Sequence, residues 1–494
     1  MTPSRTARPL PIGPPRRMRA PPRARRNHTD QRQTERMRKA TMPTNPAASS
    51  ARTAATAEPG AAAARAAPMA AHPTARRDTH GIAASAGELE AAGGHSAACA
   101  APAASEHDPI AARSGEEVTV YPLHADAPLE AFCEGLHHWL RLWQRDERPN
   151  VLQAPAVCRA DLRRALVRAG QSATDRRGAF IHVRLASAEC AAVVLPKRMT
   201  QGEWGVVGFR LRLDGFRLAG NSVFGTEDPA ARTACLRAVV DWVAARGGRF
   251  LLLEDVETGS DMWRLAFDTA SRQAIVPRGL APRHWIRFPE DPGEYWSRFT
   301  SKTRNTFRRK RKRFPGLRWR AYRTPRDVPE FVRTAHIVSR ATWQSRRLGL
   351  RIHDDDAERE WLRAIAEAGG LRSYVLFSHD EPAAFLLGFQ TGGTFIYEEV
   401  GYAEHFGRYS AGQVLLLEVL DDLFTRDCPE RLDFGAGDAD YKRQFANETT
   451  TSGHIAIVPN AAVRGTLRLL TAATRGLRAF ARHARNRSRR AAGR

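Results

Sequence analysis

Residues 395–445 decide the fold of this chain, and they read FIYEEVGYAEHFGRYSAGQVLLLEVLDDLFTRDCPERLDFGAGDADYKRQF. Aromatic and β-branched residues predict a strand over 395–400. Leucines and valines at helical spacing then predict a helix over 413–426, with an apolar face wide enough to be buried on more than one side. A short second strand at 431–434 precedes a polar loop at 435–445. The stretch therefore predicts the order strand, turn, helix, strand, loop.

The turn before this helix carries Ser410, Ala411 and Gly412. Ser410 is a candidate N-cap, and Gly412 has no side chain to obstruct a ligand at the first turn. Free backbone N–H groups and the positive end of the helix dipole point outward there, which suits a pyrophosphate. The alternative is an ordinary capped helix, because capping residues of this kind are common.

A glycine pair, Gly435 and Gly437, follows the second strand. Glycines permit unusual backbone angles, so the loop can present Asp438 and Lys442 at the end of the strand. A local ion pair between these two side chains that closes the loop is the alternative to a catalytic role.

Together these motifs resemble the CelD-like acyltransferases of the GNAT superfamily, which are associated with exopolysaccharide and cellulose biosynthesis. The matching residues are Ser410-x-Gly412 and Asp433-Phe434-Gly435-x-Gly437-Asp438-x-x-Tyr441-Lys442. The resemblance continues upstream through a basic helix at 295–314 and more weakly to about Val118. It departs at Ala411, where the family usually has proline, so the turn is expected to be less rigid.

The resemblance implies an α/β fold of two tandem GNAT-like units, with mixed sheets flanked by helices, as in the related Fem-type aminoacyl transferases. We expect a disordered basic arm at 1–114, a degenerate substrate-shaping unit at 115–290 and an acyltransferase unit at 291–460. A basic amphipathic tail at 461–494 completes the chain. The first unit has no counterpart of the Gly-x-Gly-Asp-x-x-Tyr-Lys motif.

The resemblance also implies a site for acyl-CoA and an acceptor. Asp438 is the first candidate for the catalytic base, and Glu398 and Glu399 are the fallbacks, one of which is expected to face the cleft because strand neighbours point oppositely. Lys442 would stabilise charge, and Tyr441 would pack or donate a hydrogen bond. The strand from Glu398 would supply backbone hydrogen bonds to pantetheine. Predicted donor-binding residues are Val400, Tyr402, Ser410, Ala411, Gly412 and Gln413, and predicted substrate-binding residues are Arg304 and Arg308.

Composition narrows the classes of protein that the chain can represent. The net charge of +24 is concentrated at the ends, because residues 1–114 contribute roughly +9 and the last 31 roughly +10. The six cysteines are scattered without zinc spacing, so we expect no metal site and a reducing compartment. There is no apolar run of eighteen residues and no secretory signal, so we expect a cytoplasmic protein.

The two ends differ from the middle in composition. Residues 1–114 are rich in Pro, Ala and Arg and cannot bury enough surface to offset their ordering entropy. A basic arm that touches acidic partners is one interpretation. The other is an unstructured or even wrongly extended start, with Met37 or Met42 as the true initiator. The tail at 461–494 could lie on an anionic membrane or stay solvated.

The rest of the chain predicts two rounds of helices followed by antiparallel strands. In the first half, strands are expected at 118–121, 179–183, 191–195, 209–213, 218–223 and 250–253, and helices at 129–143, 159–169 and 228–246. In the second, strands are expected at 317–322, 371–378, 383–390 and 452–458, and helices at 294–314, 328–345 and 357–368. Residues 284–289 are expected to be a linker. Glu254 and Asp255, at the end of a predicted strand, could contact substrate or be a solvated pair.

Three functions remain open at this point. The first is transfer of an acyl group, most plausibly acetyl, from acyl-CoA to a hydroxyl or amine of a sugar or polysaccharide precursor. The second is a Fem-like transfer from aminoacyl-tRNA, which the basic helix would suit. The third is a non-catalytic accessory protein. Nucleic acid ranks last as a partner, because only Phe307 and Phe314 accompany the cations of the helix.

Overall fold

The computed structural model describes residues 113–476 except 147–148, 170–176, 207–210, 343–344, 346–348, 350–351 and 475. The predicted arm up to residue 112 and the tail from 477 onward lie outside these residues, as do Met37 and Met42. The prediction of a disordered arm therefore stays a prediction.

Within the described residues, one mixed sheet of thirteen strands forms the centre of the molecule. The strands are β1 (Glu116–Leu123), β2 (Gly178–Leu185), β3 (Ala188–Thr200), β4 (Arg212–Leu218), β5 (Leu251–Glu257), β6 (Ala274–Ile275), β7 (Ala281–Arg287), β8 (Leu317–Tyr322), β9 (Ser373–Ser378), β10 (Glu381–Thr391), β11 (Thr394–Tyr402), β12 (Arg431–Ala436) and β13 (Glu448–Ile457). Their spatial order is β1-β2-β3-β4-β5-β13-β7-β12-β11-β10-β9-β8, and β6 pairs with β13.

Helices cover both faces of this sheet. They are α1 (Cys133–Trp143), α2 (Pro155–Ala169), α3 (Pro229–Ala245), α4 (Asp261–Ala270), α5 (Pro292–Ser297), α6 (Ser301–Arg313), α7 (Val328–Arg340), α8 (Asp356–Glu367), α9 (Ala411–Thr425) and α10 (Asp440–Phe445). Residues 461–474 are also helical. The predicted α/β class with a mixed sheet and flanking helices is confirmed.

The sheet contains two places where parallel neighbours begin side by side and then diverge. In the second half, β11 and β12 pair only from Thr394 opposite Arg431 to Ile396 opposite Asp433. In the first half, β4 and β5 pair only at Phe216 opposite Leu251 and at the next residue. All other strand pairs are antiparallel. Each half thus has one gap between diverging strands. In each half a helix connects those two strands, α3 in the first half and α9 in the second.

The two halves exchange one strand each. The last strand, β13, lies between β5 and β7, while β7, which ends the first half, pairs with β12 of the second. Accordingly Ile455 and Ile457 of β13 are buried in the core of the first half, and Ile286 of β7 is buried in that of the second. The halves therefore share one continuous sheet.

Several predicted elements need correction. The segment 284–289 is not a linker, because residues up to 287 belong to β7. The predicted helix at 294–314 is two helices, since Thr300 begins α6 by accepting a hydrogen bond from the N–H of Thr303. The pair of strands at 209–213 and 218–223 is wrong, because β4 is a single strand across Arg212–Leu218. Residues 440–445 form a short helix rather than loop.

The start of the predicted tail is part of the folded structure. Leu467 is buried in a cluster with Trp204, Phe250 and Val458. This side chain is not available to a membrane. No helix among the described residues is both long enough and apolar enough to cross a bilayer.

Candidate functional site

A cleft of about 1180 Å³ opens on one face of the sheet, where the two halves meet. Its floor runs from β4 and β5 through the exchanged strands to β12 and β11, which is roughly 24 Å at ordinary strand spacing. Helices α2 and α8 form one wall, where the Arg164 guanidinium lies 3.3 Å from the centre of the Trp361 ring. Both halves therefore contribute to a single site.

Ion pairs line the floor of the cleft. Arg283 Nε donates to both carboxylate oxygens of Asp433, at 3.0 and 3.1 Å, across 150 residues of sequence. In the first half, Lys197 Nζ contacts Glu254 Oε1 at 3.1 Å. Glu254 and Asp255 both line the cleft. The floor of the cleft therefore offers fixed donors and acceptors beside apolar lining residues such as Trp361 and Phe434.

Glu398 sits at an irregularity of β11. The register of β10 and β11 shifts so that Gly388 faces Tyr397 and Leu387 faces Glu399, which leaves Glu398 as the bulged residue. Its side chain is open to the cleft, whereas Glu399 is not among the lining residues. The bulge lies just beyond the last paired residue of β11 and β12, where these strands diverge.

The surroundings of Glu398 suit a proton acceptor. The Glu398 side chain is exposed to solvent through the cleft, and the surrounding protein displaces part of its hydration. This desolvation, helped by Glu399, Glu254 and Asp433 and opposed by Arg164, raises the pKa of Glu398 to about 7. A base with a pKa near the working pH is effective in proton transfer.

Asp438 has different surroundings. Its carboxylate is paired with Arg443, and its Oδ1 lies 3.1 Å from His284 Nε2. The hydrogen bond from Arg443 lowers the pKa of Asp438, and Asp438 is not among the residues that line the cleft. The loop-closing ion pair considered for Asp438 thus involves Arg443, and no ion pair with Lys442 occurs among the described residues.

Lys442 and Tyr441 flank the end of β12. Lys442 Nζ donates to the carbonyls of Gly435 and Ala436, at 3.2 and 3.1 Å, and lines the cleft. Burial lowers the pKa of Lys442. The Tyr441 ring packs edge-on against Phe434, and burial raises the pKa of Tyr441 to about 12. Lys442 therefore fixes the backbone carbonyls of Gly435 and Ala436 at the end of β12. Tyr441 stays protonated at neutral pH.

The predicted donor-binding residues lie together at the start of α9. Ser410 has a left-handed backbone (φ 60°, ψ 43°), and its side chain makes no capping hydrogen bond, contrary to the predicted N-cap role. Ala411 is buried, and a Cβ added to Gly412 would lie 3.3 Å from the Tyr402 ring. Gln413 contacts Lys310 of α6 and donates to Gln444 at 2.8 Å. Val400 packs against the core below them.

The corresponding helix of the first half, α3, has a side-chain cap at its N-terminus. Asp228 caps α3 by accepting a hydrogen bond from the N–H of Ala231 at 2.7 Å, and Pro229 occupies the first position. A carboxylate at this end repels an anionic ligand, and proline lacks an N–H. Of the two helix N-termini, only that of α9 has no side-chain cap.

The predicted substrate-binding arginines lie on α6, outside the lining of the cleft. Arg304 donates to the carbonyls of Trp296 and Phe299, at 3.4 and 3.0 Å, and Arg308 donates to Asn305 at 3.0 Å. Sequence reasoning did not identify Arg283, Arg164 or Lys197 as cleft residues. Only the pairing of distant strands brings them to the site, so no local signal could have indicated them.

Comparison with known proteins agrees with this arrangement for part of the chain. Residues 301–443 match the family model of the acetyltransferase (GNAT) domain. The matched residues include α6, the diverging strands β11 and β12, and α9, so this part of the chain is similar to a GNAT acetyltransferase domain. A search of curated proteins gave no match.

Three solved structures are among those similar to the chain. FemX is 12% identical, with a TM-score of 0.46, covering 67% of this chain and 98% of that one. The C-terminal domain of a putative lysylphosphatidylglycerol synthetase from Agrobacterium fabrum is 12% identical, with a TM-score of 0.42, covering 69% and 95%. A tandem GNAT protein from the clavulanic acid biosynthesis pathway is 14% identical, with a TM-score of 0.36, covering 70% and 99%.

Proposed function

We propose that the chain transfers an acyl group, most plausibly acetyl, from acyl-CoA to a hydroxyl or amine of a sugar or polysaccharide precursor. The observation that carries the proposal is the position of Glu398, whose carboxylate lies at a strand bulge. It faces the cleft beside diverging parallel strands. The matched GNAT domain supports acyl transfer in general.

In this proposal the donor lies between β11 and β12, with its pyrophosphate at the first turn of α9. The residues at that turn fit an anion, because the helix end has no side-chain cap and Gly412 adds no side chain. Ala411 and Gly412 would supply backbone N–H groups there, whereas the N–H groups of Ser410 and Gln413 already donate to the carbonyls of Gly407 and Ser410. Val400 and Tyr402 lie on the strand that would hold the pantetheine arm.

The acceptor would occupy the shared cleft. Glu398 takes the proton from the acceptor hydroxyl or amine as its oxygen or nitrogen attacks the thioester carbonyl. The carbon–sulfur bond then breaks, and the thiol leaves with a proton that Tyr441, protonated at neutral pH, can donate. Lys442 holds the end of β12 and adds positive charge near the developing oxyanion.

A sugar-like acceptor is supported by the character of the cleft. Fixed pairs such as Arg283 with Asp433 and Lys197 with Glu254 offer donors and acceptors to hydroxyl groups. The volume of about 1180 Å³ exceeds the range of about 300–1,000 Å³ that is common for small-ligand pockets. An extended acceptor would therefore fit better than a compact metabolite.

Separate Glu398→Gln and Asp438→Asn variants test the assignment of the base. Thiol release from acetyl-CoA is measured against a panel of amino sugars and acidic and neutral oligosaccharides, and acetyl-CoA affinity by calorimetry. We expect Glu398→Gln to lose about a hundredfold or more in turnover with unchanged acetyl-CoA affinity. Asp438→Asn should retain most of the activity. The reverse pattern would return the role of base to Asp438, and absence of acetyl-CoA binding would contradict the proposed function.

A further inference from the structure

The solvent side of α6 carries cations that the fold does not use. Lys302, Arg309, Lys312 and Arg313 are exposed, and none of their side chains has a hydrogen-bond or ion-pair partner within the described part of the chain. At 100° per residue they fall, with Arg308, within an arc about 140° wide. We call these five residues the cationic face.

The opposite side of the same helix is fully engaged. Phe307 is buried between Phe299 and Phe445, and Arg311 pairs with Glu418 of α9 at 2.8 Å. Arg304 donates to backbone carbonyls. Packing thus accounts for one side of α6 and leaves the cationic face unexplained. Like charges so close on one helix repel each other, so an anionic partner would relieve that repulsion.

The cationic face borders the donor end of the site. Lys310, at its edge, hydrogen-bonds Gln413 in the first turn of α9. Phe314, which ends α6, packs against Phe406 and Tyr409 in the turn before α9, with ring centroids 6.0 and 6.2 Å apart. A partner on the cationic face would therefore stand beside the helix end where the donor phosphate is proposed to bind.

We propose that the cationic face docks an acidic carrier protein that presents the acyl group as a thioester on a phosphopantetheine arm. This inference rests on the proposed function, because the arm would enter the same gap between β11 and β12. The arm's phosphate would take the place of the CoA pyrophosphate at α9. The transfer step is unchanged: the carbon–sulfur bond breaks, the thiol stays on the carrier, and Glu398 takes the acceptor proton.

Two observations favour an acidic protein over other polyanions. Single-stranded nucleic acid needs exposed aromatic rings for base stacking, but Phe307 and Phe314 are both buried. The cations from Lys302 to Arg313 extend over roughly 16 Å of helix axis. An acidic helix on the surface of a folded protein matches that length and charge.

The test uses the full chain and an acidic acyl carrier protein in two forms, acetylated on its arm and apo without the arm. Binding is measured by calorimetry at low and high salt. We expect the acetylated form to bind more tightly than the apo form, and salt to weaken both. A variant with Lys302→Glu, Arg309→Glu, Lys312→Glu and Arg313→Glu should bind the acetylated form at least about tenfold more weakly.

A matched control changes four exposed arginines of the first half: Arg212→Glu, Arg249→Glu, Arg272→Glu and Arg278→Glu. It alters the net charge equally and should leave carrier binding unchanged. Thermal melting checks folding, and glutamine at the same four positions of α6 provides a milder variant if the glutamate variant unfolds.

The docking proposal is overturned if the wild type does not bind the acetylated carrier, or if neither α6 variant weakens that binding. It is also overturned if the cationic face binds tRNA or anionic vesicles in preference to the carrier. Acetyl-CoA binding distinguishes the two proposals. A chain that binds acetyl-CoA but no carrier keeps the proposed function and loses the docking surface.

Discussion

At the scale of single residues, Glu398 and Asp438 show how neighbours decide the chemistry of a carboxylate. Both are acidic residues near glycines, and the sequence made Asp438 the first candidate for the base and Glu398 a fallback. Loss of hydration raises the pKa of Glu398 to about 7, whereas the hydrogen bond from Arg443 lowers the pKa of Asp438. At neutral pH Glu398 is therefore the more effective proton acceptor, and Asp438 is a weak base.

A raised pKa predicts a pH-dependent gain in stability when Glu398 is changed to Gln. In the folded chain Glu398 holds its proton up to about pH 7, whereas in the unfolded chain it releases it near the ordinary value of 4.5. Stability therefore falls as pH rises between these values. We expect Glu398→Gln to melt on the order of 2 °C higher than the wild type at pH 8 and equally at pH 4.

The measurement is a melting curve by circular dichroism at several pH values. Glu367→Gln, at an exposed position near the end of α8, is the control and should show no such pH-dependent gain. An equal effect of Glu398→Gln at pH 4 and pH 8 would mean that the pKa is not raised, and the case for Glu398 as the base would be lost.

At the scale of elements, helices α9 and α3 each connect a pair of diverging parallel strands, but they differ at their first turns. Ser410 leaves the end of α9 uncapped by a side chain, while Asp228 closes the end of α3. This local difference gives a physical reason why only the second half would bind an anionic donor. The sequence did not reveal this difference, because Ser410 was itself predicted to cap α9 and only its left-handed backbone leaves that end without a side-chain cap.

Changing Gly412 to Asp should therefore abolish acetyl-CoA binding without unfolding the chain. An aspartate in the first turn interacts favourably with the helix dipole, but it fills the space of the donor phosphate and repels its negative charge. Calorimetry with acetyl-CoA measures the effect. Gly465→Asp, where an added Cβ has no atom within 4 Å, is the control for the substitution itself.

The complementary change is Asp228→Ala at α3. It should lower the free energy of unfolding by about 1 kcal/mol, as loss of a cap does, and leave acetyl-CoA affinity unchanged. If Asp228→Ala weakened acetyl-CoA binding while Gly412→Asp did not, the donor would belong to the first half instead.

At the scale of the whole molecule, the exchange of β7 and β13 joins the halves. β13 fills the space between β5 and β7, and its Ile455 and Ile457 are buried in the first core. Removal of β13 would expose two strand edges and leave cavities in that core. The halves are thus expected to unfold together rather than one after the other.

A chain that ends after residue 447 tests this expectation. We predict that it loses cooperative thermal unfolding for both halves, whereas a chain that ends after residue 460 keeps a single transition. The second truncation removes residues 461–494, which include the helical segment that holds Leu467, and leaves every strand of the sheet in place. Tryptophan fluorescence and circular dichroism followed together would reveal a half that survives alone, and such a half would contradict the coupling.

The sequence by itself determined the local elements of this protein. Strand, turn, helix and strand at 395–434 follow from apolar periodicity and glycine placement, and the structure has them as β11, α9 and β12. The family resemblance that these motifs carry implied the α/β class and the candidate role of Glu398, and the turn before the helix indicated Gly412. One error was also local, since Thr300 divides a helix that the charge pattern made continuous.

Only the tertiary structure decided which strands are neighbours and which carboxylate loses hydration to the surrounding protein. β7 was mistaken for a linker because a strand between two others depends on partners far away in sequence. The pairing of Arg283 with Asp433 spans 150 residues, and the charges around Glu398 include Arg164 and Glu254 of the other half. Strand partners and desolvation arise from contacts between distant segments, and no local pattern of residues encodes those contacts.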